Sequence, residues 1–107
     1  MNEKIIQFRE VAELFPDDPT TRFGLASAYL EHGEFEAAAR EFQEVTRLKP
    51  DYTAGYRGLG RALEKAGRVD EAKTAYRQGI ETGEKTRDLQ TVKEMQVFLR
   101  RLEHGRN

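Results

Sequence analysis

The chain has 107 residues, and its 18 Lys and Arg side chains against 19 Asp and Glu give a formal net charge of −1. A chain of this length is typical of one small domain with its own core, and a net charge near zero argues against a nucleic-acid binder that depends on phosphate contacts. The sequence contains no cysteine, which excludes disulfides and thiolate metal sites.

The first predicted helix covers residues 3–15 and has Asn2 as its N-cap. Its apolar side chains recur every three or four positions, which places them in one stripe along the helix: Ile5, Phe8, Val11, Ala12 and Phe15. We expect this stripe to pack on the following helix.

The second and third predicted helices form a pair. Asp18 followed by Pro19 is typical of a helix start, and a helix over 19–32 is expected to end at Gly33, because glycine adopts the left-handed conformation without a Cβ clash. The next helix covers 35–48. Its inward-facing side chains are Phe35, Ala38, Ala39, Phe42, Val45 and Leu48.

A second pair of helices is predicted over residues 52–66, ending at Gly67, and over 69–82, ending at Gly83. A last helix covers 86–103. Its main apolar stripe consists of Leu89, Val92, Met95, Leu99 and Leu102.

Glycines inside the fourth helix set up a further expectation. Gly60 matches a position where small residues allow close helix packing, whereas Gly55 and Gly58 have no such reason. We therefore expect those two glycines to leave one face of the helix bare, where a ligand backbone could approach. Val97 and Phe98 lie beside the main stripe of the last helix, as a packing rim or a contact surface.

The chain repeats itself with a period of 34 residues, which is the signature of a stacked repeat protein. A forward shift by that period superposes Gly24 on Gly58, Leu25 on Leu59, Ala28 on Ala62, Gly33 on Gly67 and Ala38 on Ala72. The backward shift makes the 3–15 helix the second half of a pair whose first half is missing. We expect this helix to cap the stack, or alternatively to expose an apolar surface through which two copies dimerise.

The last helix does not follow this period. A shift of 72 instead aligns residues 30–33 with 102–105, which share the sequence Leu-Glu-His-Gly. The last helix is therefore predicted to correspond to the first helix of a pair, like the helices over 19–32 and 52–66, and to cap the C-terminal end.

The chain resembles the tetratricopeptide repeat (TPR) family, whose 34-residue unit carries a W-x2-L-G-x2-Y…A-x3-F…P pattern. The first repeat meets the pattern, with Ala26 in place of glycine, at Leu25, Ala26, Tyr29, Ala38, Phe42 and Pro50. The second repeat meets it, with three substitutions, at Tyr56, Leu59, Gly60, Leu63, Ala72 and Tyr76. The sequence departs from the pattern at Arg22, which stands at the aromatic position, and at Glu84, where proline is expected.

This resemblance implies an all-α, right-handed superhelix of antiparallel helix hairpins with about six helices in a single domain over 1–107. Its expected parts are a half-repeat helix (3–15), repeat 1 (19–50), repeat 2 (53–84) and a C-terminal capping helix (86–103). In the family, the first helix of each repeat lines a concave groove that receives a peptide.

Carrying these groove positions to this sequence gives a set of candidate binding residues on three helices. They are Thr20, Phe23, Ser27, Leu30 and Glu31, then Ala54, Arg57, Arg61, Glu64 and Lys65, and on the last helix Asp88, Val92 and Met95. Arg57 and Arg61 lie one helical turn apart and can grip a carboxylate together, with Phe23 as an apolar anchor. The alternative is that both arginines are solvated and form helix salt bridges. The lysine–asparagine clamp of the chaperone-binding subclass is not reproduced, because Phe23 and Ser27 occupy those positions.

The sequence offers little for catalysis. It contains no phosphate-binding glycine loop, no HExxH and no nucleophile elbow. His32 and His104 each precede a glycine at a helix end, where a cation meets the negative end of the helix dipole. We therefore expect no enzyme activity, no metal and no cofactor.

The partner is expected to be a protein or peptide, and its charge follows from the uneven distribution of side chains. Residues 51–107 hold twelve basic against nine acidic side chains, which is typical of solvated helix faces. The alternative is a basic surface that attracts an acidic partner or supports head-to-tail self-association. No apolar run approaches the roughly 20 residues of a membrane span, and the first residues lack the apolar segment of a secretory signal. We expect a cytoplasmic protein that scaffolds protein–protein contacts without binding nucleic acid or membrane. Self-association through the terminal helices is the alternative.

Overall fold

A computed structural model describes residues 2–105, and within this range the protein is all-α, as predicted. The six helices are α1 (Glu3–Leu14), α2 (Pro19–Glu31), α3 (Phe35–Leu48), α4 (Thr53–Lys65), α5 (Val69–Thr86) and α6 (Leu89–Glu103). Each helix packs on the next one along the chain, so the hairpins follow one another as a repeat architecture requires.

The helices form two layers that differ in how closely their members approach. α4 contacts both α2 and α6, so α2, α4 and α6 form one continuous layer. α1, α3 and α5 make no comparable contacts with one another over the described residues. Because one layer is drawn together and the other is spread apart, the stack curves towards α2, α4 and α6. We call these three helices the inner layer.

Capping residues fix most of the helix ends where the sequence predicts them. The Asn2 side chain accepts hydrogen bonds at the start of α1, and that of Asp18 accepts one from the Thr20 amide at the start of α2. Gly33 and Gly67 have φ values of 82° and 81°, the left-handed conformation that ends a helix.

The expected end of α5 at Gly83 is wrong. α5 continues for one more turn to Thr86, and Arg87 instead takes the left-handed conformation with φ 67°. Gly83 is required for packing, because a Cβ atom there would lie 2.4 Å from a Val92 methyl group and 3.0 Å from a Thr53 methyl group. The predicted start of the last helix at 86 moves to Leu89, because α5 continues to Thr86 and the Asp88 side chain caps the start of α6.

Replacement of this strained residue, Arg87→Gly, is expected to raise the free energy of unfolding by about 0.5–1 kcal/mol, because a side chain in the left-handed region costs energy that glycine avoids. Thermal or urea unfolding measures the effect. The matched control is Lys85→Gly in the last turn of α5, which is expected to destabilise by a similar amount. Equal destabilisation by both variants would contradict this account.

The inward stripe of α1 is only partly confirmed. Ile5 and Ala12 are buried, but Val11 is 40 % exposed and Phe15 is 58 % exposed. Val45 lies 34 positions after Val11 on α3 and is fully buried, because α3 packs on both α2 and α4. Among the described helices α1 packs only on α2, so the outer part of its stripe faces solvent.

The bare face expected at Gly55 and Gly58 is also wrong. A Cβ atom at Gly58 would lie 2.3 Å from the Phe42 ring, and one at Gly55 would lie 3.1 Å from a Val45 methyl group. Both glycines are buried under side chains of α3, so they permit close helix packing and offer no surface to a ligand.

α6 corresponds to the first helix of a pair, as α2 does, but the two ends of α6 align with α2 at different shifts. Asp88 caps α6 and Thr91 follows three residues later, as Thr21 follows Asp18, which is a shift of 70. At the other end the shift is 72, as predicted, and Gly105 has a left-handed φ of 70° like Gly33. The two shifts differ because α6 has 15 residues and α2 has 13.

Candidate functional site

The open side of the inner layer is the candidate site, and we call it the inner face. It can be followed from helix to helix because side chains four residues apart lie on the same side of a helix. Its stripe on α4 is Arg57, Arg61 and Lys65, and the equivalent positions on α6 are Lys93, Val97 and Arg101. Its stripe on α2 is Phe23, Ser27 and Glu31.

Arg57 and Arg61 each contact a different side chain of α6. A guanidinium nitrogen of Arg57 lies 2.6 Å from a carboxylate oxygen of Glu94. Both side chains of this ion pair are more than a third exposed, so it contributes little to stability. It neutralises Arg57 and fixes it at the seam between α4 and α6.

Arg61 has a different neighbour. Its guanidinium carbon lies 4.7 Å above the centre of the Phe98 ring, and that of Arg101 lies 5.8 Å from the same centre. Phe98 in turn packs on the buried Tyr76 ring, with 5.6 Å between centroids. A well-packed aromatic ring therefore positions two guanidinium groups by cation–π contact.

These two arginines keep their charges available. Within residues 2–105 no carboxylate lies within ion-pair distance of Arg61 or Arg101. The nearest acidic side chain along α4, Glu64, accepts a hydrogen bond of 2.9 Å from the Tyr76 hydroxyl. Burial and this hydrogen bond raise the pKa of the Tyr76 phenol above its ordinary value, so the hydroxyl remains a donor.

Phe23 is less available than an apolar anchor should be. Its ring meets the Phe42 and Tyr52 rings edge to face, with centroids 5.5 Å and 5.4 Å away. It is half-buried at the junction of α2, α3 and α4, and Leu30 is half-buried against the same core. Both residues support the inner face more than they project from it.

The remaining predicted residues differ in exposure. Thr20 and Lys65 are exposed, whereas Ser27 and Ala54 are half-buried. Glu31 is exposed, and its carboxylate forms an ion pair of 3.4 Å with the Lys4 ammonium of α1.

The three positions on α6 are wrong as groove residues. Val92 and Met95 are buried in the core, and Asp88 caps the helix with its side chain. The prediction failed because the shift of 72 holds only at the C-terminal end of α6. The shift of 36 from α4 places Val97 and Arg101 on the inner face instead, and the capping sequence D-x-x-T at Asp88, like that at Asp18, was the signal that could have revealed it.

Residues 2–105 contain no group of three His, Asp or Glu side chains that could hold a metal ion. His32 and His104 are the C-cap residues of α2 and α6, the positions expected for them. A cleft opens between α3 and α5, which with α1 form the outer layer, and its floor is Leu59 and Leu63 of α4. Its volume of about 290 Å³ is at the lower limit for a small-molecule site.

No helix among the described residues combines the length and the apolar character required to cross a membrane.

Comparison with known proteins agrees with this geometry. The chain matches the tetratricopeptide repeat family over residues 7–53 and again over 23–85. It is 41 % identical over 90 residues to a TPR repeat-containing protein of Pseudomonas aeruginosa, PA0015. The aligned residues make up 84 % of this chain and 86 % of that protein.

Two solved structures extend the likeness to the fold. Protein BPP2914 of Bordetella parapertussis superposes with a TM-score of 0.83 at 30 % identity, covering 98 % of this chain and 91 % of that one. A tetratricopeptide repeat domain protein of Salinibacter ruber superposes with a TM-score of 0.75 at 34 % identity, covering 83 % and 90 % of the two chains. The family match covers more than half of the chain and agrees with the consecutive helix hairpins, so this protein belongs to the tetratricopeptide repeat family.

Proposed function

We propose that the protein is a non-catalytic scaffold that binds a short, acidic segment of a partner protein along the inner face. The observation that carries the proposal is the pair of positioned but unneutralised arginines, Arg61 and Arg101, on the concave side of the stack. Tetratricopeptide repeats generally mediate protein–protein interactions and are generally not catalytic. Oppositely charged surfaces increase association rates and exclude wrong partners.

The candidate residues of this site are partly those expected from the sequence. Thr20, Ser27, Ala54, Arg61 and Lys65 line the inner face in this proposal. Phe23, Leu30 and Arg57 hold the helices that carry them. The cytoplasmic location remains a prediction from the sequence.

A test begins with selection of binders from a library of random short peptides displayed on phage, using the intact chain as bait. The inner-face variant Ser27→Arg is expected to weaken the selected peptides by about tenfold or more, because a long side chain obstructs the groove. The matched control is Gln78→Arg, which adds the same side chain to an exposed position of α5 in the outer layer. An equal loss in both variants, or a loss only in Gln78→Arg, would locate binding outside the inner face.

A second candidate function is self-association through α1, and one observation favours it. The C-terminal end of α1 exposes Leu14 and Phe15 by 73 % and 58 %, next to Val11 at 40 %. An apolar end of this kind is covered in many assemblies by another copy. Sedimentation at micromolar concentration tests this idea, because the intact chain is expected to self-associate and the Leu14→Lys variant is expected to be a monomer. If both samples are monomers, self-association through α1 is excluded.

A further inference from the structure

The seam between α4 and α6 is a more specific surface than the rest of the inner face. At its centre, the Phe98 ring carries Arg61 at 4.7 Å and Arg101 at 5.8 Å. Arginine on an aromatic face loses little further freedom when it binds, since the ring already restricts its orientation. Its fork of N–H donors matches a carboxylate.

Apolar surface lies on both sides of this pair of arginines. Val97, one turn before Arg101 on α6, is 46 % exposed. Beyond Arg101, a cleft of about 410 Å³ opens where α4 and α6 end, and it is lined by Glu64, Lys65, Gly67, Val69 and Leu102. A space of this size is large enough for a bulky apolar side chain.

The neighbouring carboxylates do not compete for the two arginines. Arg57 holds Glu94 at 2.6 Å, and the Tyr76 hydroxyl donates to Glu64 at 2.9 Å. Arg61, Arg101 and Lys65 outnumber Glu64 at this end of the seam, so the local charge is positive, although the chain as a whole has a net charge of −1. This contrast points to a localised acidic group as the ligand and argues against a long polyanion, which requires an extended basic surface.

We propose that Arg61, Arg101 and Val97, with the cleft at Val69 and Leu102, form a subsite for an acidic side chain that stands between two apolar residues of an extended peptide segment. The acidic side chain binds the two guanidinium groups, and one apolar neighbour fills the cleft while the other contacts Val97. The seam is flanked by apolar surface on both sides, so the segment passes through it and the carboxylate comes from a side chain, not from a chain terminus. This inference rests on the proposed function and adds the chemistry of its ligand.

The experiment uses a fluorescein-labelled peptide, Gly-Ser-Leu-Ser-Asp-Ser-Leu-Ser-Gly, with an amidated C-terminus, in which alternate side chains of the extended chain place Leu, Asp and Leu on one face. Binding to the intact chain is measured by fluorescence anisotropy. Arg61→Ala and Arg101→Ala are each expected to weaken binding by about tenfold. In the double variant the loss is expected to be smaller than the product of the two single losses, because both arginines hold one carboxylate. The amide version of the peptide, with Asn in place of Asp, is expected to bind more weakly by a similar factor.

The matched control is Arg100→Ala, which removes the same charge from the adjacent, exposed position of α6 that makes no contact with Phe98. Its affinity is expected to stay within about twofold of the parent. Circular dichroism melts of all variants exclude unfolding as the cause, and Arg101→Lys, which keeps the charge but not the planar fork, is expected to give an intermediate loss.

Three results would overturn the subsite: equal losses in Arg100→Ala and Arg101→Ala, undiminished binding of the amide peptide, or displacement of the peptide by a single-stranded oligonucleotide at equal concentration. A preference for the same peptide with a free C-terminus would reassign the pair to a terminal carboxylate. If acidic library peptides bind the inner face and Ser27→Arg blocks them, but Arg61→Ala and Arg101→Ala leave their affinity unchanged, the subsite fails while the proposed function stands. If no peptide binds the inner face, both fail.

Discussion

Truncation of the central aromatic side chain, Phe42→Ala, is expected to lower the free energy of unfolding by about 3–5 kcal/mol, the usual cost of removing a buried phenylalanine ring. Phe42 is 1 % exposed and lies at the junction of three helices. Its ring lies against the backbone of α4 at Gly58 and meets the Phe23 ring at 5.5 Å. A loss of this size is a large share of the 5–15 kcal/mol that stabilises a typical domain.

Urea unfolding followed by circular dichroism measures this loss, and Phe15→Ala is the matched control. Phe15 follows α1 and is 58 % exposed, so the same change of side chain is expected to cost less than about 1 kcal/mol there. The slope of the unfolding transition should remain the same if only the native state is affected. Similar losses for both variants would mean that the Phe42 ring is not at the centre of the core.

Local chemistry was sufficient to predict most of the fold, because the helix ends depend on a few residues with strong conformational preferences. Asp18 with Pro19 starts α2, and Gly33 and Gly67 end α2 and α4 in the left-handed conformation. Each of these signals acts within one turn of the chain and requires no knowledge of tertiary contacts.

The sequence-based predictions were wrong at glycines whose role depends on tertiary packing. Gly83 looks like a helix end in the sequence, but it lies inside α5 because a Cβ atom there would meet Val92 of α6 at 2.4 Å. Gly58 looks like exposed backbone, but Phe42 covers it. A glycine with φ above zero and a glycine under an aromatic ring cannot be distinguished from neighbouring residues alone.

The contacts made by the predicted site residues could not be read from the sequence for a related reason. The repeat period placed Arg57 and Arg61 on the inner face, but their partners Glu94 and Phe98 come from α6, where the period changes. Arg101 could not be assigned while the register of α6 was set from its C-terminal end alone. A two-residue difference in helix length is enough to move a residue from one side of a helix to another.

The second large effect is expected from Gly58→Ala, which should lower the free energy of unfolding by up to about 2 kcal/mol. Alanine favours a helix over glycine by about 1 kcal/mol, so propensity alone predicts stabilisation. The new Cβ atom would lie 2.3–2.6 Å from three atoms of the Phe42 ring, and relief of this overlap costs about 1–3 kcal/mol in a packed core. Gly55→Ala is the matched control, since its Cβ atom would lie 3.1 Å from the nearest side chain and the loss should be smaller.

The sign of this effect should reverse when the ring is removed. In a Phe42→Ala background, Gly58→Ala has no ring to overlap, retains its advantage in helix propensity and fills part of the cavity. We therefore expect it to stabilise that variant by about 0.5–1 kcal/mol, so that the two substitutions show a strong coupling in a double-mutant cycle. Additive losses would show that the cost of Gly58→Ala arises elsewhere than at the ring. Stabilisation of the parent chain by Gly58→Ala would show that α3 and α4 are not held together through this contact.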